Sequence, residues 1–179
     1  MILDAASTSR LIEGYKRLLL RVAGPPARPT VTVLEHLIVG RKKLLANRSL
    51  LAATAALMQA ESRGLDQELL ETFASLDFKK WVYLRDTKIH SIFVDPDGRS
   101  AFGVVGLTNP ICDLIGGTGA LIETGLLRFQ GKYVCDGLIS ELVWLGPDYK
   151  KDFSDMLSEI KSNGGFSSKY PVQSTRPAG

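Results

Sequence analysis

Apolar positions along the chain recur at two periods, and the period changes near Asp77. Before that point the spacing is helical. Leu11, Tyr15, Leu18, Leu19 and Val22 fall on one face, with Ser7, Thr8 and Ser9 available as caps. Gly24-Pro25-Pro26 stops this run, and the stretch to Pro29 reads as a stiff linker that could hold residues 1–23 apart as an arm. A second helix is expected from Thr32, whose spacing to Glu35 is that of a capping box. Leu34, Leu37, Ile38 and Leu45 supply its stripe, although Thr30-Val31-Thr32-Val33 alternates as a strand would. A third helix, from about Ser49 to Arg63, turns Leu50, Ala53, Leu57 and Met58 toward the core, and Asp66 caps a fourth that carries Leu69, Leu70, Phe73 and Leu76.

Beyond Asp77 the segments are short, β-rich and separated by turn residues. Trp81-Val82-Tyr83-Leu84 reads as a strand, and the runs 89–94 and 100–105 flank Asp95-Pro96-Asp97-Gly98, a hairpin signal. Thr108-Asn109-Pro110 reads as a helix start, with Asn109 as cap and Pro110 at the first helical position, ending at Gly116-Gly117. Residues 119–145 predict a meander of three antiparallel strands. Gln130-Gly131 is its tight turn, and Asp136-Gly137 marks a further turn or a bulge. Gly146-Pro147-Asp148 opens a last helix with Tyr149, Phe153, Met156, Leu157 and Ile160 on one face.

Helices, then strands, then a helix imply an α+β fold. The expected architecture is N-terminal helices followed by an antiparallel, strongly bent sheet or small β-barrel of about six strands, with a C-terminal amphipathic helix. The organisation reads as a helical region 1–76, an antiparallel β region with its helix at 77–165, and a disordered Ser/Pro/Gly-rich tail at 166–179.

Composition narrows the function classes. Apolar residues make up 45% and charged residues 23%, ordinary for a globular chain. No apolar run reaches the roughly 18–20 residues that span a bilayer, and Met1-Ile2-Leu3-Asp4 does not open a secretory signal, so a soluble, cytoplasmic protein is expected. Cys112 and Cys135 are then free thiols. The net charge of +3 is uneven: residues 1–48 hold nine Lys or Arg against three Asp or Glu, whereas residues 77–179 hold twelve of each. That asymmetry permits an acidic partner without requiring one.

The candidate chemistry is sparse. Cys112 falls at the third position of the short helix, where free amides favour a thiolate, with His90 as base and Asp113 or Asp95 to orient it. A small half-buried residue is the ordinary alternative, and Cys135, mid-strand, reads as inert. Gly116-Gly117-Thr118-Gly119 follows a helix and precedes a strand, the reverse of a phosphate loop. Asp95-Pro96-Asp97-Gly98 lacks the later ligands of a calcium loop, and no Cys-x-x-Cys or His-x-x-x-His occurs, so neither metal nor cofactor is expected. Glu123, Asp136 and Glu141 could converge as acid–base carboxylates, or simply face solvent. Arg41, Lys42, Lys43 and Arg48, helped by Arg10, Lys16, Arg17 or Arg21, could contact phosphates, or decorate a helix end.

The resulting expectation is a non-enzymatic binding or regulatory protein with an unspecified protein or small-molecule partner and no membrane. A homo-oligomer is left open, and nucleic acid is permitted but not favoured. A thiol-dependent hydrolase or transferase using Cys112, His90 and Asp113 is the first alternative. A nucleic-acid-binding regulator using Arg41, Lys42, Lys43 and Arg48 is the second.

Overall fold

The structure, a computed structural model, describes residues 1–170, so the part of the expected tail at 171–179 lies outside the described residues. Four helices come first: α1 (Ala5–Ala23), α2 (Val33–Ala46), α3 (Ser49–Ala60) and α4 (Gln67–Ala74). Strands β1 (Asp77–Asp86), β2 (Ser91–Val94) and β3 (Ala101–Val105) follow, then the one-turn helix α5 (Ile111–Ile115). The chain continues through β4 (Ala120–Phe129), β5 (Lys132–Cys135), β6 (Glu141–Trp144), α6 (Pro147–Ser162) and β7 (Phe166–Ser167). The change from helix to strand thus falls at Asp77, where the apolar period changes.

Local chemistry sets several of these ends. Thr32 and Glu35 form the full capping box of α2, and the Asp66 side chain accepts from the Leu69 amide to cap α4. The β2–β3 turn closes through Gly98 N–H to the Asp95 carbonyl. Gln130 and Gly131 both adopt positive φ in a two-residue turn between β4 and β5, the twist that suits a hairpin. The cap of α5 differs from expectation: Pro110 holds the cap position, and no side chain, Asn109 included, bonds to the free amides.

The seven strands form one mixed sheet in the order β1-β2-β3-β5-β4-β6, with β7 beside β3. β4 pairs β1 as well, so the pairings of β1, β2, β3, β5 and β4 return to their start. A circuit of five strands cannot alternate direction all the way round, and one neighbouring pair must be parallel. That pair is β3–β5, at Val104↔Tyr133 and Val105↔Val134. The purely antiparallel reading of 77–145 is corrected here, and β7, which falls in the expected tail, adds a second parallel pairing. Nor is 119–145 a meander. β5 and β6 do not pair; both lie along one edge of β4, β5 against Leu126 to Phe129 and β6 against Ala120 to Glu123.

Strand alternation divides the core. Trp81, Tyr83, Phe93, Val104, Ala120 and Ile122 pack together on one face. On the opposite face, α1–α4 cover Val105, Leu127, Phe129 and Val134, while α6 covers Val82, Leu84, Ile92 and Val94. Helix α1 is no detached arm: Leu11, Leu18 and Leu19 lie in the same core as Leu127 and Phe129. The expected stripes of α2 and α3 hold in part: Leu37, Ile38, Leu45, Leu50 and Met58 pack into the helical core, but Leu34, Ala53 and Leu57 are exposed, and the most buried positions also include Gly40, Arg41, Leu44 and Thr54. The α3 sequence has no charged residue, so its pattern marks no side for solvent.

Candidate functional site

The site begins with a close helix crossing. A Cβ on Gly40 would come within 2.1 Å of the Leu19 carbonyl oxygen, so α2 can approach α1 this closely only with glycine there. The next residue, Arg41, is carried into the core, where its side chain is fully buried. Its Nη1 donates to Asp136 Oδ2 at 2.9 Å and to the Leu138 carbonyl, and its Nη2 donates to Ser140 Oγ at 3.2 Å. The guanidinium also lies over the Phe78 ring, 4.4 Å from its centroid.

Asp136 directly follows β5, with its N–H still bonded to the Gly125 carbonyl of β4, and its side chain meets this cation. Its Oδ1 accepts from Thr124 Oγ1, Gly125 N–H and Leu138 N–H, at 3.0, 3.3 and 2.9 Å. Its Oδ2 also takes the Tyr15 hydroxyl at 3.3 Å. A Cβ on Gly125 would collide with Asp136 Oδ2 and Leu76, so glycine in β4 makes room for the carboxylate. Burying two charges is costly, and these hydrogen bonds offset part of it, since Arg41 Nε is buried with no partner among the described residues. Burial, then the negative charge of Asp136, pushes the Tyr15 hydroxyl well above its ordinary range.

Against Tyr15 and Asp136 lies a cavity of about 230 Å³. Leu11, Tyr15 and Leu19 of α1, Leu37 of α2, and Leu107 and Leu138 of the two loops all contribute to its wall. Lys16, Thr108 and Asn109 also line it and are exposed, so they stand at its rim. A larger groove between α3 and α4 is more open to solvent.

The other sequence candidates are dispersed. Cys112 Sγ donates to Asp113 Oδ1 at 3.3 Å, and the thiol is pushed up to about 11 by its hydrogen bond to Asp86, by burial and by Asp113. The His90 ring packs instead against Phe166 and over Gly103, and burial lowers its pKa. Asp95 pairs with Lys79. Cys135 is buried beside Thr124 and Asp136, and burial, then the Asp136 charge, raise it to about 11. The basic group does not share one face. Arg41 is internal, Lys43 Nζ donates to the Ala23 carbonyl, Arg48 donates to the Leu76 carbonyl, and Lys42 faces solvent. Of the three carboxylates, Glu141 pairs with Lys80 and Glu123 accepts from Ser140 Oγ, the hydroxyl that links it to Arg41.

Sequence reasoning named Arg41 and Asp136 in separate roles and missed both their pairing and Tyr15. One signal was present: Arg41 follows the apolar run Leu37-Ile38-Val39-Gly40, where a solvated cation is out of place. Comparison with protein-family models, curated proteins and solved structures returns no match.

Proposed function

We propose that this chain is a non-enzymatic binding protein that takes a small, largely apolar molecule between α1 and the loops 106–110 and 136–140. The supporting observation is the cavity itself, a partly open, leucine-lined hollow whose one buried carboxylate, Asp136, is already paired with Arg41. Ligand sites are typically apolar hollows with a few fixed polar groups. A volume of about 230 Å³ lies below the roughly 300–1,000 Å³ of drug-sized sites, which favours a small ligand. Binding is favoured over chemistry because Tyr15, Asp136 and Arg41 are committed to one another. A thiol raised to about 11 between two carboxylates also lacks the electropositive surroundings of a reactive cysteine.

We read the five-strand circuit as a small closed barrel, a rigid wall for the site. The two unpaired thiols support a reducing, cytoplasmic setting.

The test is a fragment screen by thermal shift, followed by methyl NMR. A ligand of this site raises Tm and moves the methyl signals of Leu11, Leu19, Leu107 and Leu138. Leu114→Trp, a substitution at an exposed lining position, should weaken it. Ligands that move only signals elsewhere, or that bind Leu114→Trp unchanged, would overturn the reading.

A further inference from the structure

The rim of the cavity carries information about the ligand that its leucine wall does not. The geometry points to a small amphipathic anion, with its apolar body inside the cavity and a carboxylate or phosphate head held at Lys16. This rests on the binding reading above and adds the ligand class to it.

Charge is the first argument. The ionisable side chains lining the cavity are Tyr15, Lys16, Cys135 and Asp136. Asp136 is matched by Arg41 and takes further hydrogen bonds from Tyr15, Thr124, Gly125 and Leu138. The Tyr15 hydroxyl and the Cys135 thiol are both raised and stay neutral near pH 7. Lys16 is therefore the single uncompensated charge among the lining residues, and it has no ion-pair partner among the described residues.

Position is the second argument. Tyr15 forms wall and Lys16 is the next residue of α1, about 100° further round the helix. A lysine stem can lie along apolar surface while its ammonium stays at the water boundary. Thr108 and Asn109 line the same cavity and are exposed, and among the described residues their side chains make no hydrogen bond to the protein. An ammonium, an amide NH₂ and a hydroxyl all offer donors, which an anionic head uses well. The buried carboxylate of Asp136 does not repel such a head, because its charge is balanced within the wall.

Calorimetry of the full chain with octanoate, octyl phosphate and 1-octanol tests this. At least one anion should bind tenfold or more tighter than the alcohol, and whichever anion binds tighter identifies the head. Affinity should rise about fourfold for each methylene added from hexanoate to octanoate, as buried chain predicts. Lys16→Gln should bring the preferred anion down to the level of octanol, and Lys16→Glu should place it below. Lys16 is exposed, so neither variant threatens the fold, and an unchanged melting temperature of the unliganded chain serves as the check. If octanol binds as well as both anions and Lys16→Glu alters nothing, the anion assignment is wrong and the cavity reading stands. If none of these compounds binds, and the fragment screen also finds nothing at the cavity, the reading beneath it fails too.

Discussion

Helices α1–α4 and helix α6 cover the same face of the sheet in different ways. Helix α6 buries only Leu157 and Ile160, against Val82, Leu84, Ile92 and Val94. Helices α1 and α2 bring a fully buried arginine to a fully buried aspartate and leave a cavity beside them. An aliphatic seam needs only shape and volume, and it tolerates exchange of one hydrophobic residue for another of similar size. A buried ion pair needs its partners in place, because a lone charge in the core is severely penalised. The first seam is therefore a cover. The second ties the loop 136–140 to α2 through Arg41 and borders the cavity.

The largest expected effect separates the seams directly. Asp136→Ala should cost about 3–5 kcal/mol in a urea melt, because it strands the Arg41 guanidinium and the donors of Thr124, Gly125 and Leu138. A loss below about 1 kcal/mol would mean that the pair does not hold the helical layer to the sheet. On the other seam, Leu157→Ala should cost about 2–4 kcal/mol by ordinary cavity formation. Leu157→Met should be tolerated there, at under about 1.5 kcal/mol. Phe153→Ala should cost less than truncating Leu157 relative to the area removed, because Phe153 is only half-buried. Equal sensitivity of both seams to conservative exchange would erase the contrast.

The smallest effect concerns the thiols and leaves stability near neutral pH unchanged. Cys112 should still alkylate before Cys135, because it is accessible and Cys135 is buried. Its rate at pH 7.5 should nevertheless fall well below that of an unhindered thiol of ordinary pKa, about 8.5. It should climb about tenfold per pH unit toward about 11. The sign follows from the raised folded value: the protonated thiol is favoured in the fold, and the stabilisation it brings fades only as pH rises through that range. Asp86→Asn should speed labelling near neutrality, since Asp86 is the principal cause of the shift. A pH-independent rate, or labelling as fast as that of a free thiol, would contradict this account of the Cys112 surroundings.

Much of the fold was legible because its signals are local. The capping box at Thr32, the cap at Asp66 and the turns at 95–98 and 130–131 each depend on a few adjacent residues. The parallel β3–β5 pair was not legible, because it follows from closing a circuit of five strands and no local residue encodes closure. The apparent meander failed at Asp136 for a related reason. The break after β5 was visible in Asp136-Gly137, but its cause, a carboxylate turning to a cation 95 residues earlier in the chain, was not. The site was legible only in fragments. Arg41 and Asp136 were both named, one as a phosphate-contacting or helix-end cation and the other as an acid–base or solvent-facing carboxylate, and only the folded chain shows that they meet. Tyr15 looked like one more member of an apolar stripe, which it is, apart from its hydroxyl.

The claim that the polar seam borders a usable cavity and the aliphatic seam does not can be tested most directly by methyl NMR under xenon pressure, since xenon enters apolar cavities of comparable size. Saturable shifts should appear at Leu11, Leu19, Leu107, Leu127 and Leu138, with Val94, Leu157 and Ile160 unmoved. Shifts concentrated at the α6 seam, or none at Leu11 and Leu138, would contradict the account.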